Sequence, residues 1–201
     1  MKTKTWLTLL AALAVIAVAA VAIGCGDDEQ SADPGSGNAA DAAFVADMTA
    51  HHEGAIEMAR IAQDRAEHAE IRKLADDIVA AQENEISTMK SLQADLPKTE
   101  GNDGHMGMSD SEMGMDMDPE MLKDAKPFDR AFIDMMVPHH EGAVAMAKEL
   151  LKDGEHPQLR QMANDVIDAQ TKEIAQMREW RKAWYGSAGG STADPMADDG
   201  H

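Results

Sequence analysis

The chain of 201 residues carries 37 acidic and 18 basic side chains, which gives a formal net charge of −19 at pH 7. A chain this acidic repels phosphate backbones and anionic lipids, so its composition excludes nucleic-acid binding and electrostatic binding to a membrane surface. Only 3% of the residues are aromatic, so alanine, isoleucine, leucine and methionine must fill any core. The single cysteine rules out a disulfide bond within the chain.

The first 24 residues have the features of a secretion signal. Lys2 and Lys4 precede an apolar run that ends in small residues directly before Cys25, the only cysteine. This pattern predicts a bacterial lipoprotein signal peptide over 1–24, cleaved so that Cys25 carries the lipid. The protein is then expected in the cell envelope, on the outer face of the membrane. The alternative is a plain transmembrane anchor.

An internal repeat covers most of the remaining chain. The segment from Asp41 to Gln93 aligns without a gap with the segment from Asp129 to Arg181, and 21 of the 53 aligned pairs are identical. Each copy contains a His-His-Glu-Gly-Ala block, which begins at His51 and recurs 88 residues later. A gap-free repeat of this length indicates one structural unit that is present twice.

The repeat sets the organisation of the chain. Residues 25–40 are rich in Gly, Ser, Asp and Pro and predict a flexible tether. The first repeat, 41–93, and the second repeat with its flank, 128–185, each predict a helical hairpin. Between them, 94–127 predicts a Met-rich linker with a short helix that begins at the Asp118-Pro119 N-cap and runs through Lys126. The polar residues 186–201 predict a disordered tail.

Both repeats show helical periodicity and no strand-like alternation. The apolar stripes of the first repeat comprise Phe44, Met48, His51, Ala55 and Ala62, then Ile71, Ala75, Ile78, Gln82, Ile86 and Met89. Those of the second comprise Phe132, Met136, His139 and Ala143, then Leu159, Ala163, Val166, Gln170, Ile174 and Met177. Four such helices in two duplicated hairpins predict an all-α fold, an antiparallel four-helix bundle of the ferritin-like kind. Pro138 lies inside the third helix and is expected to kink it.

Methionine and histidine recur together at equivalent positions of the two repeats. Thioether sulfur and imidazole nitrogen form the donor set that suits Cu(I), because soft donors select a soft ion. Residues three or four apart are neighbours on a helix, so one face presents both donor types to one ion. The candidate metal ligands of the helices are Met48, His51, His52, Met58 and Met89, then Met136, His139, His140, Met146 and Met177. The alternative is that these side chains only fill the core.

Each second helix also carries a glutamine and a glutamate on or beside its apolar stripe. These residues are Gln82 and Glu85 in the first repeat and Gln170 and Glu173 in the second. A buried glutamate is costly unless it is paired. We expect the glutamates either to orient a histidine of the facing helix, His51 or His139, through a hydrogen bond or to bind the metal directly. The first alternative is favoured, and the glutamines are assigned the same supporting role.

The linker carries a third group of soft donors. Its methionines are Met106, Met108, Met113, Met115, Met117 and Met121, and His105 lies beside them; the candidate ligands are His105 and the first five methionines. No core period runs through this polar segment, so we expect its methionines to be exposed, and Met-x-Met spacing suits chelation of a soft cation. The alternative is a hydrophobic lid over the bundle.

The residues from Phe128 to Ala147, with Asp-Ala-Gln at 168–170 and Glu-Ile-Ala-Gln-Met at 173–177, closely resemble the family called domain of unknown function 305. The better-known members of that family are CopM-like copper-binding proteins of the bacterial periplasm and exterior. The resemblance covers about 41–181. The resemblance implies two tandem copies of the family unit that together form a ferritin-like helical bundle. It also implies binding of Cu(I) or Ag(I) through methionine and histidine.

The pattern favours metal binding over catalysis. A ferritin-like di-iron site needs Glu-x-x-His on paired helices, but Glu85 is followed three residues later by Thr88 and Glu173 by Gln176. No nucleophile with its base and no phosphate-binding loop is present, so we predict no enzyme activity. The sequence predicts an extracytoplasmic lipoprotein that binds Cu(I) for sequestration, resistance or trafficking, and homo-oligomers remain open. The alternative is a structural or partner-binding helical lipoprotein without metal, and a di-iron protein is less favoured.

Overall fold

The computed structural model describes residues 36–98 and 105–186. The described residues form four α-helices, α1 (Ala39–Arg65), α2 (Ala69–Leu92), α3 (Phe128–Asp153) and α4 (Pro157–Tyr185), and contain no strand. The predicted all-α fold with two helical hairpins, α1–α2 and α3–α4, is therefore confirmed. In the described residues, no helix has the length and apolar character that crossing a membrane requires. The predicted signal peptide with Cys25, most of the tether, part of the linker and the tail after Gly186 lie outside the described residues.

The first helix begins inside the segment predicted as a tether. The Asn38 side chain accepts a hydrogen bond from Asp41 N at 3.1 Å, and the Asp41 carboxylate accepts one from Asn38 N at 2.8 Å. This capping box satisfies backbone donors that the start of a helix leaves unpaired. The helix therefore begins at Ala39, two residues before the repeat.

The two hairpins pack together through α1 and α3. Phe44, near the start of α1, shares one core cluster with Leu150, near the end of α3. Ala62, near the end of α1, shares the other cluster with Phe128, at the start of α3. The two helices are therefore antiparallel, and one core cluster lies on each side of their crossing. Every residue of the predicted stripes is buried.

The two hairpins also close each other's turns. The Asp129 carboxylate, at the start of α3, accepts hydrogen bonds from His68 N at 2.8 Å and from the preceding backbone N at 2.9 Å, both in the α1–α2 turn. The Asp41 carboxylate, at the start of α1, accepts from His156 N at 3.1 Å and from the preceding backbone N at 3.0 Å in the α3–α4 turn. These equivalent bonds relate the repeats by an approximate two-fold axis. Neither aspartate was predicted to have a role, although the two form the first identical pair of the alignment.

Two prolines lie at the start of a helix or inside one in the middle of the chain. A short 3-10 helix, Pro119–Lys123, starts at the predicted N-cap, where the Asp118 carboxylate accepts from Glu120 N at 2.9 Å. It ends three residues earlier than predicted. Pro138 lies inside α3, which stays helical across it, so the proline does not end the helix and the predicted kink stays a prediction.

Candidate metal centre

Four buried histidines meet where α1 crosses α3. His51 and His52 come from α1, and His139 and His140 come from the equivalent turn of α3. The rings of His51 and His139 lie against each other, with centroids 3.8 Å apart and planes tilted by 37°. The centroids of His51 and His52 are 6.2 Å apart. The fold thus brings into one centre two histidine pairs that are far apart in the sequence.

The inner pair, His51 and His139, is neutral at pH 7. His51 Nε2 donates to the carbonyl oxygens of Met113 and His139, both at 3.0 Å. Because both partners are carbonyls, the ring proton is on Nε2 and the lone pair is on Nδ1. Burial, followed by the charges of His52 and His140, lowers the pKa of His51 to about 3. Burial is also the main cause that lowers the pKa of His139 well below 6.5.

The outer pair, His52 and His140, is bonded to carboxylates of the second helices. His52 Nε2 donates to Glu85 Oε2 at 2.6 Å. The equivalent distance from His140 Nε2 to Glu173 Oε2 is 2.8 Å. A carboxylate on one ring nitrogen fixes the orientation of an imidazole and makes the other nitrogen a more basic metal ligand.

The predicted histidine partner of these glutamates is wrong. Sequence analysis paired Glu85 and Glu173 with His51 or His139 of the facing helix. Those two histidines lie on the stripes that face the other hairpin. The next residue along each helix is turned by about 100° around the helix axis, toward the second helix of the same hairpin. The glutamates therefore contact the outer pair instead.

The centre contains buried polar atoms that no described residue satisfies. The Nδ1 atoms of all four histidines lack a hydrogen-bond partner within the described residues, and so do the Oε1 atoms of Gln82 and Gln170. Buried polar atoms are usually paired with protein, water or an ion. Each of the four unpaired imidazole nitrogens is therefore a donor available to a metal ion, singly or in a pair. The supporting role of the two glutamines stays a prediction.

The six methionines predicted as ligands on the helices are buried and divide between the two core clusters. One cluster contains Met48, Met89 and Met146, and the other contains Met58, Met136 and Met177. Each group packs among aliphatic side chains, as the adaptable thioether does in many cores. The fold therefore sets these methionines on both sides of the histidine centre and does not gather them around one point.

The prediction that the linker methionines are exposed is wrong for five of the six. Met113 is buried, and the other four predicted ligands pack partly buried against the core clusters: Met106, Met108, Met115 and Met117. Among the described large hydrophobic residues, Met121 is the exposed one, at 65%. Residues 105–117, here called the lid, therefore cover the bundle, as the alternative interpretation expected.

Polar contacts from α1 hold the start of the lid and the segment that follows the lid. The Asp47 carboxylate accepts hydrogen bonds from His105 Nδ1 at 2.5 Å and from Met106 N at 2.7 Å. Arg65 donates to carbonyl oxygens at the end of the 3-10 helix that follows the lid. The second repeat has Met135 in place of Asp47. His105, a predicted metal ligand, thus anchors the lid outside the histidine centre.

A repeated glycine lets the lid approach the centre. A Cβ atom added at Gly142 would lie 1.8 Å from the Met113 carbonyl oxygen, so a larger residue would push the lid away. At the equivalent Gly54, a Cβ atom would lie 3.4 Å from His139 Nε2, which a small shift can accommodate. Sequence analysis assigned the glycine no role. The signal was available, because glycine in the middle of a helix is destabilising and its repetition calls for a reason.

A cavity of about 210 Å³ opens beside His139. Its lining includes Met58, Met115, Met117 and His139, together with Gly54, Glu57, Gly114 and Pro119. Methionines of α1 and of the lid, which lie far apart in the sequence, thus meet a histidine of α3.

The described part of the chain forms no carboxylate-rich metal cluster. No group of three or more His, Cys, Asp or Glu side chains is arranged there to hold a metal ion. A site in this part of the chain must therefore draw on single imidazoles and on thioethers, which are soft donors.

Comparison with known proteins gives a family match and similar structures. The model of the family Domain of unknown function (DUF305) matches residues 41–181. The match is one span over both hairpins, so the assignment of two tandem family copies stays a prediction. A putative secreted DUF305 protein from Streptomyces coelicolor is 31% identical, with a TM-score of 0.66, over 77% of this chain and 98% of that one.

A metal-bound structure is among the similar ones. CopM in the Cu(I)-bound form is 38% identical, with a TM-score of 0.61, over 73% of this chain and 98% of CopM. The uncharacterized protein L153 of Acanthamoeba polyphaga mimivirus is 35% identical over 49 residues, which is 24% of this chain. That match spans 32% of the mimivirus protein, about a third of its length.

Proposed function

This chain belongs to the DUF305 family, and on that premise we propose that it binds soft monovalent metal ions, Cu(I) and Ag(I), as cargo. One observation carries the proposal: four buried histidines meet in one centre, and the Nδ1 atom of each lacks a hydrogen-bond partner within the described residues. Imidazole nitrogen suits copper, and the thioethers on both sides of the centre favour soft ions over hard ones.

The protonation of the centre supports metal binding at neutral pH. A metal binds the unprotonated nitrogen, so a protonated imidazole must first lose its proton. The low pKa values of His51 and His139, caused chiefly by burial, keep both rings neutral. The carboxylates on His52 and His140 direct the protons of these rings to Nε2, which leaves the Nδ1 lone pair for a metal.

The comparisons support the same class of ligand. CopM is a protein solved with Cu(I), with silver and with Cu(II). The similarity covers 98% of the Cu(I)-bound CopM chain, so the centre of this protein falls within a fold that holds such ions in CopM. The proposal extends that property to this chain on the strength of its own histidines.

The cellular setting is proposed from the sequence. We propose that Cys25 is lipidated and anchors the protein to the outer face of the membrane in the bacterial cell envelope, where it sequesters or passes on copper without catalysing a reaction. A Cys25→Ser variant is expected to leave the membrane fraction. If that variant matures and partitions like the parent protein, the anchor proposal is wrong.

The test of metal binding replaces the outer histidines. A His52→Gln/His140→Gln variant is expected to bind Ag(I) and Cu(I) more than about 100-fold more weakly, because removal of ligands exceeds the 10- to 100-fold effect of removing a supporting residue. Anaerobic competition titration with a Cu(I) chelator measures the affinity, with Zn(II) in parallel as the harder ion.

The control is His68→Gln, which replaces a histidine of the α1–α2 turn whose Nδ1 is already bonded to the Asp129 carboxylate. It is expected to bind both ions like the parent protein. Equal affinity in the parent and in the His52→Gln/His140→Gln variant would leave a structural or partner-binding role as the conclusion. So would absence of binding in the parent.

A further inference from the structure

The cavity beside His139 has a donor set of its own. His139 is only 4% exposed, its Nδ1 atom lacks a partner within the described residues, and the ring lines the cavity. Three thioethers share the lining, from Met58 of α1 and from Met115 and Met117 of the lid. The lining therefore combines the two donor types that select soft ions.

The cavity follows from the path of the lid. The Met113 carbonyl oxygen occupies the space above Gly142 and accepts a hydrogen bond from His51. The chain then passes through Gly114 with φ +67°, a conformation that glycine adopts at little cost. The next two methionines line the cavity at His139. The inner histidines thus differ, because one bonds to the lid backbone and the other faces thioethers of the lid.

The cavity adjoins a groove on the acidic surface. Glu57 lines both the cavity and a groove of about 610 Å³. The rest of the groove is lined by Glu53, Asp64, Glu83, Arg60, Lys123, Ile56 and Ile61. Because the whole chain has a net charge of −19, cations concentrate near its surface.

We propose that this cavity is a second soft-ion site and that Cu(I) or Ag(I) passes through it to the histidine centre. The inference rests on the proposed function and adds the route to the same centre. Thioethers are neutral, soft ligands, so the cavity selects soft ions against the hard cations that an acidic surface also attracts. His139 belongs to both sites, since its ring lies 3.8 Å from that of His51. An ion in the cavity therefore already has a ligand of the centre beside it.

The first experiment uses the unaltered protein, labelled with ¹³C at its methionine methyl groups. Ag(I) added up to one equivalent is expected to shift the NMR signals of Met58, Met115 and Met117. The signals of Met106 and Met108, in the same lid but outside the cavity lining, are expected to stay in place. If Ag(I) binds and no cavity methionine shifts, the inference is overturned.

The second experiment measures how fast the centre is loaded. In a Met115→Leu/Met117→Leu variant, the rate of Ag(I) uptake from a chelator is expected to fall by more than about tenfold, because loss of a residue that only supports a ligand already costs about 10- to 100-fold in metal affinity or activity. The protein is also expected to bind one ion fewer. The control is Met106→Leu/Met108→Leu, which removes two partly buried lid methionines outside the cavity and should load like the parent.

The outcomes separate the two proposals. A parent protein that binds no Ag(I) or Cu(I) contradicts the proposed function itself. A parent that binds, with a cavity variant that matches it in both rate and number of ions, leaves the proposed function standing and overturns the route. Because the NMR experiment needs no substitution, it decides the question even if the cavity variant fails to fold.

Discussion

The two hairpins have nearly the same architecture and different chemistry at their inner histidines. In both, an aspartate at the start of the first helix closes the turn of the other hairpin. In both, the outer histidine bonds to a glutamate of the second helix. Yet His51 donates to the lid backbone, whereas His139 lines a cavity with three methionines.

The cause of this difference is the lid, which bonds to the Asp47 carboxylate of α1 and lies with its backbone against Gly142 of α3. Asp47 holds the start of the lid, while the second repeat has Met135 at that position. The lid lies between the two repeats and is bonded to Asp47, which the second repeat lacks. It therefore gives the equivalent histidines His51 and His139 different surroundings. An approximate two-fold axis in the backbone does not make the sites equivalent.

The largest expected change in the free energy of unfolding comes from Asp41 and Asp129, which close the turns in the same way in both hairpins. Replacing them tests the feature that the two hairpins share. Asp129→Ala leaves two partly buried backbone donors of the α1–α2 turn without their acceptor. We expect a loss of about 3 kcal/mol in the free energy of unfolding, since each unsatisfied donor costs about 1–3 kcal/mol. Asp41→Ala should cost a similar amount, as measured by urea unfolding. Asp168→Ala, an exposed helix residue, is the control and should change stability by less than about 0.5 kcal/mol. A loss at Asp129 no greater than the control's would contradict the role of the caps.

The repeated glycine tests the feature in which the two hairpins differ, which is the close approach of the lid to one of them. Gly142→Ala forces a Cβ atom against the Met113 carbonyl oxygen, and such overpacking should cost about 1–3 kcal/mol. Gly54→Ala meets only the edge of His139, and alanine is the better helix former by about 0.5–1 kcal/mol. We therefore expect opposite signs from the same substitution at equivalent positions. Urea midpoints of the two variants decide this, and equal losses would mean that the lid does not lie closer to α3.

The pH dependence of stability should be the smallest effect and sharpens the comparison at His51. Its pKa is about 3 in the folded protein and about 6.5 in the unfolded chain. The unfolded chain therefore binds more protons between these values, so stability is complete above about pH 6.5 and is lost as the pH falls toward 3. From pH 7 to 5.5 the loss from His51 should be about 1 kcal/mol. Urea unfolding of the metal-free protein at both pH values measures it.

The control for the pH experiment is the His51→Gln variant, which should lose this part of the dependence. His139, whose pKa burial also lowers, contributes with the same sign and remains in the variant. An unchanged pH dependence in His51→Gln would show that His51 titrates alike in the folded and unfolded states.

Features with a local period were predictable from the sequence. The stripe through Phe44, Met48 and His51 is buried as expected, because a period of 3.6 residues fixes which side chains share a helix face. The histidine pairs were candidates for the site for the same reason, since they recur at one position of a repeated helix. A histidine or metal partner for each glutamate was expected too, because a buried carboxylate needs a partner.

Features that depend on how distant segments approach were not predictable. Which histidine Glu85 contacts depends on the rotation of α1 about its own axis relative to α2. A rotation by one residue would place His51 instead of His52 beside Glu85. The lid has no hydrophobic period of its own. Its burial depends on contacts with Asp47 and Gly142, which are distant in the sequence. The repeated methionines of the lid were a signal, but packing and metal binding explain methionine equally well at the level of sequence.

The reciprocal turn caps have a consequence for how the chain folds. His68 receives its acceptor from a residue 61 positions away, and His156 from one 115 positions away. Neither turn can be completed while its hairpin stands alone, so the hairpins must dock before either loop closes. Cutting the chain between the hairpins would leave each half without an acceptor that the other supplies. The molecule therefore should unfold in one cooperative transition, although its sequence consists largely of two repeats.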